Sequence, residues 1–215
     1  ALKGLERSDL SCNLILCCMR GENTRRANLE TVRLAQKYLV KDNGVVALDL
    51  AGAEGLFPTK DYSEEFSVAK KAGIPFTIHA GEADGAESVR TALEFGAVRI
   101  GHGVRIKEDE ELLEDLKRNH ICLEMCPTSN RQTKAITDMK EYPLAYYLNR
   151  GLCVTVNTDD MAISGTTIRK EFQYIEKEFG ITKVQKDQLL KHAVQAAFTT
   201  DEKKEWLMQQ IFGQR

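Results

Sequence analysis

The sequence predicts an α/β fold: a (β/α)8 TIM barrel, truncated so that about six βα units and a set of C-terminal helices remain. Three observations predict it. Six short apolar runs, at 13–18, 44–50, 76–79, 98–101, 122–125 and 153–156, are mostly separated by stretches of helical periodicity, and strands alternating with helices of this length indicate parallel βα units. The runs show little alternation of apolar and polar residues, as strands covered on both faces do. Polar residues also cluster just past the ends of several runs, at His79-Ala80-Gly81-Glu82, Gly101-His102-Gly103 and Asn157-Thr158-Asp159-Asp160, and the carboxyl ends of barrel strands are where such a fold carries its site. The competing architecture is a doubly wound open sheet, which usually shows a glycine-rich phosphate turn after an early strand. Here the first run is followed by Met19-Arg20-Gly21-Glu22-Asn23, which is no such turn.

The connecting elements follow in order. The stretch 24–40 carries Ala27, Val32, Ala35 and Leu39 at helical spacing. The stretch 63–72 is preceded by Asp61, with Glu64 three residues on, the spacing of a helix cap. Helices are expected at 85–95 and at 109–119, the second with Leu112, Leu113 and Leu116 as its apolar stripe, and a short one at 143–150 after a longer loop. Beyond the last run, 166–179, 185–198 and 201–212 read as helices. Thr199 and Glu202 have capping-box spacing for the final one, and its face of Trp206, Leu207 and Ile211 is expected to pack across the outside of the barrel.

A complete barrel needs roughly 250 residues, and this chain has 215 including the extra helices. The expectation is therefore one domain, 1–215, that lacks its N-terminal strands. Such a fold has two open sheet edges and an exposed apolar interior, so it would self-associate or stay docked to the missing segment.

Composition sets the broad class. With 42% hydrophobic and 29% charged residues the chain is globular rather than disordered. With a formal net charge of -2, nothing suggests nucleic acid or an anionic membrane as a partner. No apolar run approaches the ~18 residues of a membrane span, and no signal-peptide pattern is present, although the chain opens on Ala1-Leu2-Lys3-Gly4 without an initiator methionine. Of the six cysteines, Cys17, Cys18, Cys122, Cys126 and Cys153 lie in or beside apolar runs, where a free thiol behaves as a small hydrophobe. A reduced, cytoplasmic setting is expected rather than a disulfide framework. Cys122 and Cys126 are spaced C-x-x-x-C, but no second cysteine pair completes a metal site.

Each chemical candidate has a structural alternative. His79, at a strand end, could present one ring nitrogen to zinc while the other is held by a neighbouring acceptor, or be a satisfied core histidine. Glu82 could turn back into the barrel mouth, where burial would let it carry a proton near neutrality, or cap the helix at 85–95. His102, between two glycines, could hold or polarise a metal-bound water, or be a turn histidine. Asp159 and Asp160 repel each other unless a cation or donors compensate; one could bind metal and the other substrate, or Asp159 could cap the following turn. Cys126-Pro127-Thr128-Ser129-Asn130 offers small polar residues for supporting hydrogen bonds, or is a plain loop. Gly52, in Asp49-Leu50-Ala51-Gly52, would let a ligand approach the backbone. His120 and His192 read as structural or solvated.

Taken together, and in this order along the chain, Cys17-Cys18-Met19-Arg20, Asp49-Leu50-Ala51-Gly52, His79-Ala80-Gly81-Glu82, Arg99-Ile100-Gly101-His102-Gly103, Cys126-Pro127-Thr128-Ser129-Asn130 and Asn157-Thr158-Asp159-Asp160 resemble the adenosine deaminases, within the zinc-dependent amidohydrolase group of TIM barrels. The resemblance implies zinc held by His79 and Asp159, with Glu82 as the acid that protonates purine N1 and His102 positioning the attacking water. It implies that Asp160 accepts a hydrogen bond near N7 and that the Gly52 amide contacts N3. The implied reaction is hydrolysis of adenosine, and of 2′-deoxyadenosine, to inosine and ammonia in purine salvage, the partner being a small purine nucleoside. The cytidine-deaminase signature, H-x-E with P-C-x-x-C, is absent. So is the His-x-His pair from which the family takes two further zinc ligands, so this chain alone is expected to hold zinc weakly or not at all and to be inactive. A sister deaminase acting on adenine, AMP or a modified adenosine, and a non-catalytic nucleoside binder, are the alternative readings.

Overall fold

The structure is a computed structural model that describes residues 2–5 and 11–213. After a single-turn helix α1 (Leu2–Leu5), strands β1 (Leu14–Met19), β2 (Val45–Ala51), β3 (Thr77–Ala80), β4 (Arg99–His102), β5 (Cys122–Met125) and β6 (Cys153–Val156) alternate with α2 (Arg25–Tyr38), α3 (Ser63–Lys71), α4 (Ala86–Phe95), α5 (Glu110–Arg118), then α6 (Pro127–Gln132) and α7 (Leu144–Asn149). Helices α8 (Met161–Ser164), α9 (Ile168–Phe179), α10 (Lys183–Ala196) and α11 (Asp201–Phe212) follow.

All paired strands are parallel, and their spatial order is their sequence order. The pair β1–β2 joins the β3–β6 sheet through a bridge between Leu48 and Phe76, with Leu48 N–H donating to Pro75 C=O at 3.0 Å. A doubly wound sheet reverses its strand order at a switch point; this sheet never reverses. It is a partial (β/α) barrel, as the sequence predicts.

The core lies between the strands and the helices that cover them. Leu48, Leu50, Phe66, Phe76, Ile78, Ile100 and Leu123 are fully or almost fully buried, and Leu112, Leu113 and Leu116 are the α5 stripe, all at zero exposure. Inside the barrel Arg99 and Glu124 form an ion pair at 2.7 Å, and the Thr77 hydroxyl donates to Glu124 at 2.7 Å.

Several local expectations are corrected. Strand β1 is not covered on both faces: Ile15, Cys17 and Met19 are exposed, because β1 pairs only with β2 and no wall faces it among the described residues. In α2 the buried position is Asn28 rather than Ala27. Its amide accepts from Met19 N–H at 2.8 Å and donates to Met19 C=O at 3.0 Å, pairing the end of β1 as a further strand would. Asp61 does not cap α3; it sits inside a 3-10 turn, Thr59–Tyr62, that leads straight into the helix. Thr200 rather than Thr199 caps α11, since the Thr199 hydroxyl is committed to Asp42. The full capping box is Thr182 with Gln185 on α10. Trp206 is half exposed, Leu207 and Ile211 are half-buried, and α11 buries none of its residues fully, so that face is only partly covered.

Gly103 follows β4 at φ +64°, and a β-carbon there would stand 2.8 Å from a Leu123 methyl. Left-handed backbone and a clash with a buried side chain both oppose any other residue. Gly103→Ala is expected to destabilise the fold by about 1–3 kcal/mol, read as a lower urea midpoint with an unchanged slope.

Candidate active site

The site is assembled where β2, β3, β4, β5 and β6 end. His79 is the third residue of β3, and Gly101 is its partner on β4. A β-carbon on Gly101 would lie 3.1 Å from His79 ring atoms, so glycine makes the room that the imidazole fills. Asp49, near the end of β2, holds His79 Nδ1 at 3.1 Å. Burial disfavours a charged His79, but Asp49, Asp159 and Glu124 outweigh it and raise its pKa to about 9. His102 ends β4 edge-on to His79, with ring centroids 4.9 Å apart. Burial and the neighbouring His79 push its pKa down, so it is the neutral partner.

Two of these residues hold a backbone that L side chains rarely adopt. His102 has φ +65° and Asp159 has φ +54°. Each such residue costs about 1–3 kcal/mol, and such strain is tolerated where the surroundings over-determine it. The Ser129 hydroxyl donates to Asp159 at 2.7 Å. One ligand atom each from His79, His102 and Asp159 lies within 4.8 Å of the others, and among the described residues this is the one such metal-compatible group. Cys122 and Cys126 are not part of one; Cys122 is buried opposite Cys153 on β6.

Glu82 leaves the β3–α4 turn towards the same point. Its Oε2 is 3.5 Å from His102 Nε2. Its Oε1 accepts from Asn130 Nδ2 at 3.2 Å and from the Thr133 hydroxyl at 3.0 Å. The fully buried Asn130 amide also lies 3.0 Å from His102 Nδ1, and its oxygen accepts from the Tyr142 hydroxyl at 2.9 Å. The Glu82 carboxylate at Nδ2 and the Tyr142 hydroxyl donor at Oδ1 fix the amide's orientation. The NH2 group therefore faces both Glu82 and His102, so His102 Nδ1 accepts and its proton sits on Nε2, towards Glu82. The site lies in a cleft of about 430 Å³ lined by His79, His102, Asp159 and Asn157, with Arg99 and Glu124 deeper in the barrel.

Of the remaining sequence candidates, Asp160 caps α8, its Oδ1 accepting from Ala162 and Ile163 N–H at 2.9 Å each. The capping role weighed for Asp159 thus falls on its neighbour. Gly52 has φ +113°, and a β-carbon there would stand 3.2 Å from Arg20 C=O; closeness to the end of β1 already requires glycine. His192 is structural, its ring meeting the Val154 backbone, where burial holds its pKa down.

Two residues that sequence reasoning did not single out, Glu54 and Tyr142, support the site, as does Arg20, which the sequence offered only as the end of the motif Cys17-Cys18-Met19-Arg20. Buried Arg20 donates to His79 C=O at 2.7 Å, to Phe57 C=O at 2.7 Å and to Thr59 Oγ1 at 2.9 Å. Glu54 is 4% exposed and accepts from the turn that carries Glu82. An acid in a loop reads as solvated, and no local pattern marks it otherwise.

A partial parallel barrel with a His–His–Asp group at its strand ends defines a (β/α) barrel with a metal-compatible site at its carboxyl rim. The comparisons narrow this. The adenosine deaminase family profile matches residues 2–214. An adenosine deaminase of Haemophilus ducreyi is 48% identical over 98% of this chain and 63% of its own length. One of Enterococcus faecalis is 37% identical over 97% of this chain and 61% of its own length. The arabidopsis N6-mAMP deaminase superposes with a TM-score of 0.83 at 27% identity, covering 100% of this chain and 65% of that one. The chain belongs to the adenosine deaminase family, and it spans 63% and 61% of the length of these two curated relatives.

Burial raises the pKa of the Glu54 carboxyl, but the Ser88 hydroxyl and the Asp84, Ala83 and Gly81 amides outweigh it and leave it below the ordinary 4.5. A depressed pKa stabilises the fold above the unfolded-state value and loses that contribution as pH falls through the folded value. The stability deficit of Glu54→Gln should therefore be full at about pH 7 and shrink at about pH 3, read from paired urea melts. A deficit that grows on acidification contradicts this assignment.

Proposed function

We propose that this chain supplies most of the active site of an adenosine deaminase, which hydrolyses adenosine, and 2′-deoxyadenosine through the same base contacts, to inosine and ammonia in purine salvage. The observation that carries the reading is the convergence of Glu82 on His102 beside His79 and Asp159. The donor set suits zinc in kind, since zinc takes imidazole nitrogen and carboxylate oxygen. His79 and Asp159 would hold it, His102 being engaged by Asn130 through Nδ1. It falls short in number: a catalytic zinc has three protein ligands, and the sequence contains no His-x-His pair. When bound, zinc lowers the pKa of a water to near neutrality.

The chain's own groups do the rest. Asn130 and Thr133 both donate to Glu82 Oε1, so the proton of the acid form sits on Oε2. From there it passes to purine N1, which makes C6 electrophilic. His102 Nε2 positions the water that adds to C6. The C6–N6 bond then breaks; of the two protons of the added water, one leaves with the amino group as ammonia and the other returns to Glu82, which gave its own to N1. Asp160 is assigned to the N7 side of the base and the Gly52 amide to N3. Identity of 48% to an adenosine deaminase, against 27% to the N6-mAMP deaminase, supports the nucleoside over the nucleotide. The six free cysteines support a reducing, cytoplasmic setting. Among the described residues no helix is long and apolar enough to cross a membrane.

The test is the ultraviolet change from adenosine to inosine, followed in the longest natural polypeptide that contains this sequence. Turnover is expected, with Glu82→Gln slower by roughly 10²–10⁴-fold. Preferred turnover of adenine or N6-methyl-AMP would replace the substrate, and an unaffected Glu82→Gln would remove the acid. The 215-residue chain is expected to lose its zinc on dialysis; one retained zinc per chain, by elemental analysis, contradicts the ligand assignment.

A further inference from the structure

Glu54 lies between β2 and the 3-10 turn, buried, and among the described residues no lysine or arginine is paired to it directly. Its two oxygens take five donors. Gly81 N–H reaches Oε1 at 2.7 Å and the Ser88 hydroxyl reaches it at 2.5 Å. Glu82, Ala83 and Asp84 N–H reach Oε2 at 2.9, 2.7 and 3.1 Å. Four consecutive amides pointing at one carboxylate form a concave anion nest, here filled from within the chain.

The nest is linked to a cation by a chain of hydrogen bonds with one possible direction. Arg20 can only donate, so Thr59 Oγ1 accepts from it. Glu54 accepts from Ser88, so the Thr59 hydroxyl donates to Ser88 Oγ at 2.7 Å. Arg20 also holds His79 C=O. The exit of β3 is thus held at both ends, by a cation on the carbonyl of residue 79 and an anion on the amides of residues 81–84. With those amides turned inwards to Glu54, the Glu82 side chain leaves on the opposite side, towards His102 and Asn130.

We propose that Glu54 is the positioning residue for Glu82: its carboxylate sets the 81–84 turn that aims Glu82 at the reacting base. This rests on Glu82 being the proton donor. A glutamine cannot substitute, because its NH2 group would face N–H donors at one of the two oxygens.

The experiment compares Glu54→Gln, Glu82→Gln and the double variant in the longest natural polypeptide, with Ser88→Ala as a milder change should Glu54→Gln fail to fold. Glu54→Gln is expected to lower kcat by roughly 10- to 100-fold, a part of what a positioned acid contributes. KM should stay within about threefold and zinc content should equal that of the wild type. In the Glu82→Gln background the same change should cost less than about twofold, since two residues acting as one unit are not additive. Ser88→Ala should show the same pattern at smaller size. Amide hydrogen exchange at 81–84 should be at least about tenfold faster in Glu54→Gln and unchanged in Glu82→Gln. Additive losses, losses that track zinc content, or unchanged exchange overturn the proposal. Wild-type protein that does not deaminate adenosine overturns the functional reading instead, while exchange still reports on the nest.

Discussion

The parallel register of β3 to β6 is the constraint on which the site depends. It sets His79 beside Gly101 and Ala80 beside His102, and it carries Asn157 N–H to Met125 C=O one step past the last rung of β6. Side chains alternate along a strand, so a shift of one residue would turn His79 away from the barrel mouth and bring a side chain against the ring that Gly101 accommodates. The apolar runs fix that register through buried Ile78, Ile100, Leu123 and Val154. Core packing and site geometry are therefore one property of the sheet.

The site itself is built with strain and charge that the core supports. Left-handed His102 is the last residue of β4 and left-handed Asp159 lies three residues past the end of β6, where the chain turns to face the cleft. Each is tied down by a short contact, His102 through Asn130 and Asp159 through Ser129. Asn130 is the pivot. Fully buried on α6, it is held by Tyr142 and in turn fixes both Glu82 and the tautomer of His102.

The strands, and the residues that converge at the candidate site, were readable in the sequence because both are local signals. An apolar run followed by His-Ala-Gly-Glu needs no knowledge of distant residues. The α5 stripe was equally plain, three leucines at helical spacing with no polar interruption. What was not readable depends on partners far along the chain. Glu54 meets residues 27 to 34 positions away, and nothing in Ala53-Glu54-Gly55 distinguishes it from a solvated loop acid. The exposed face of β1 also escaped, since an apolar run looks the same whether or not a neighbour covers it. Caps misplaced by one residue, as at Thr199, arose where two adjacent hydroxyls competed and a distant carboxylate, Asp42, took one of them.

Strand order that follows sequence order bears on how the molecule is made. Each strand docks on the one synthesised just before it, so pairing needs only short loops to close. During vectorial synthesis, the Glu54 nest and the Asp49–His79 pair can form once residues up to Ser88 have emerged. His102, Asn130 and Asp159 arrive later onto a rim already set. The long-range ties come last: Asn13 to Phe198 and Arg99 to Ala196 link positions 185 and 97 residues apart. Strand order thus allows the chemistry to assemble in stages along the ribosome's direction of travel, with the ties to Phe198 and Ala196 able to close only after the wall they fasten has emerged.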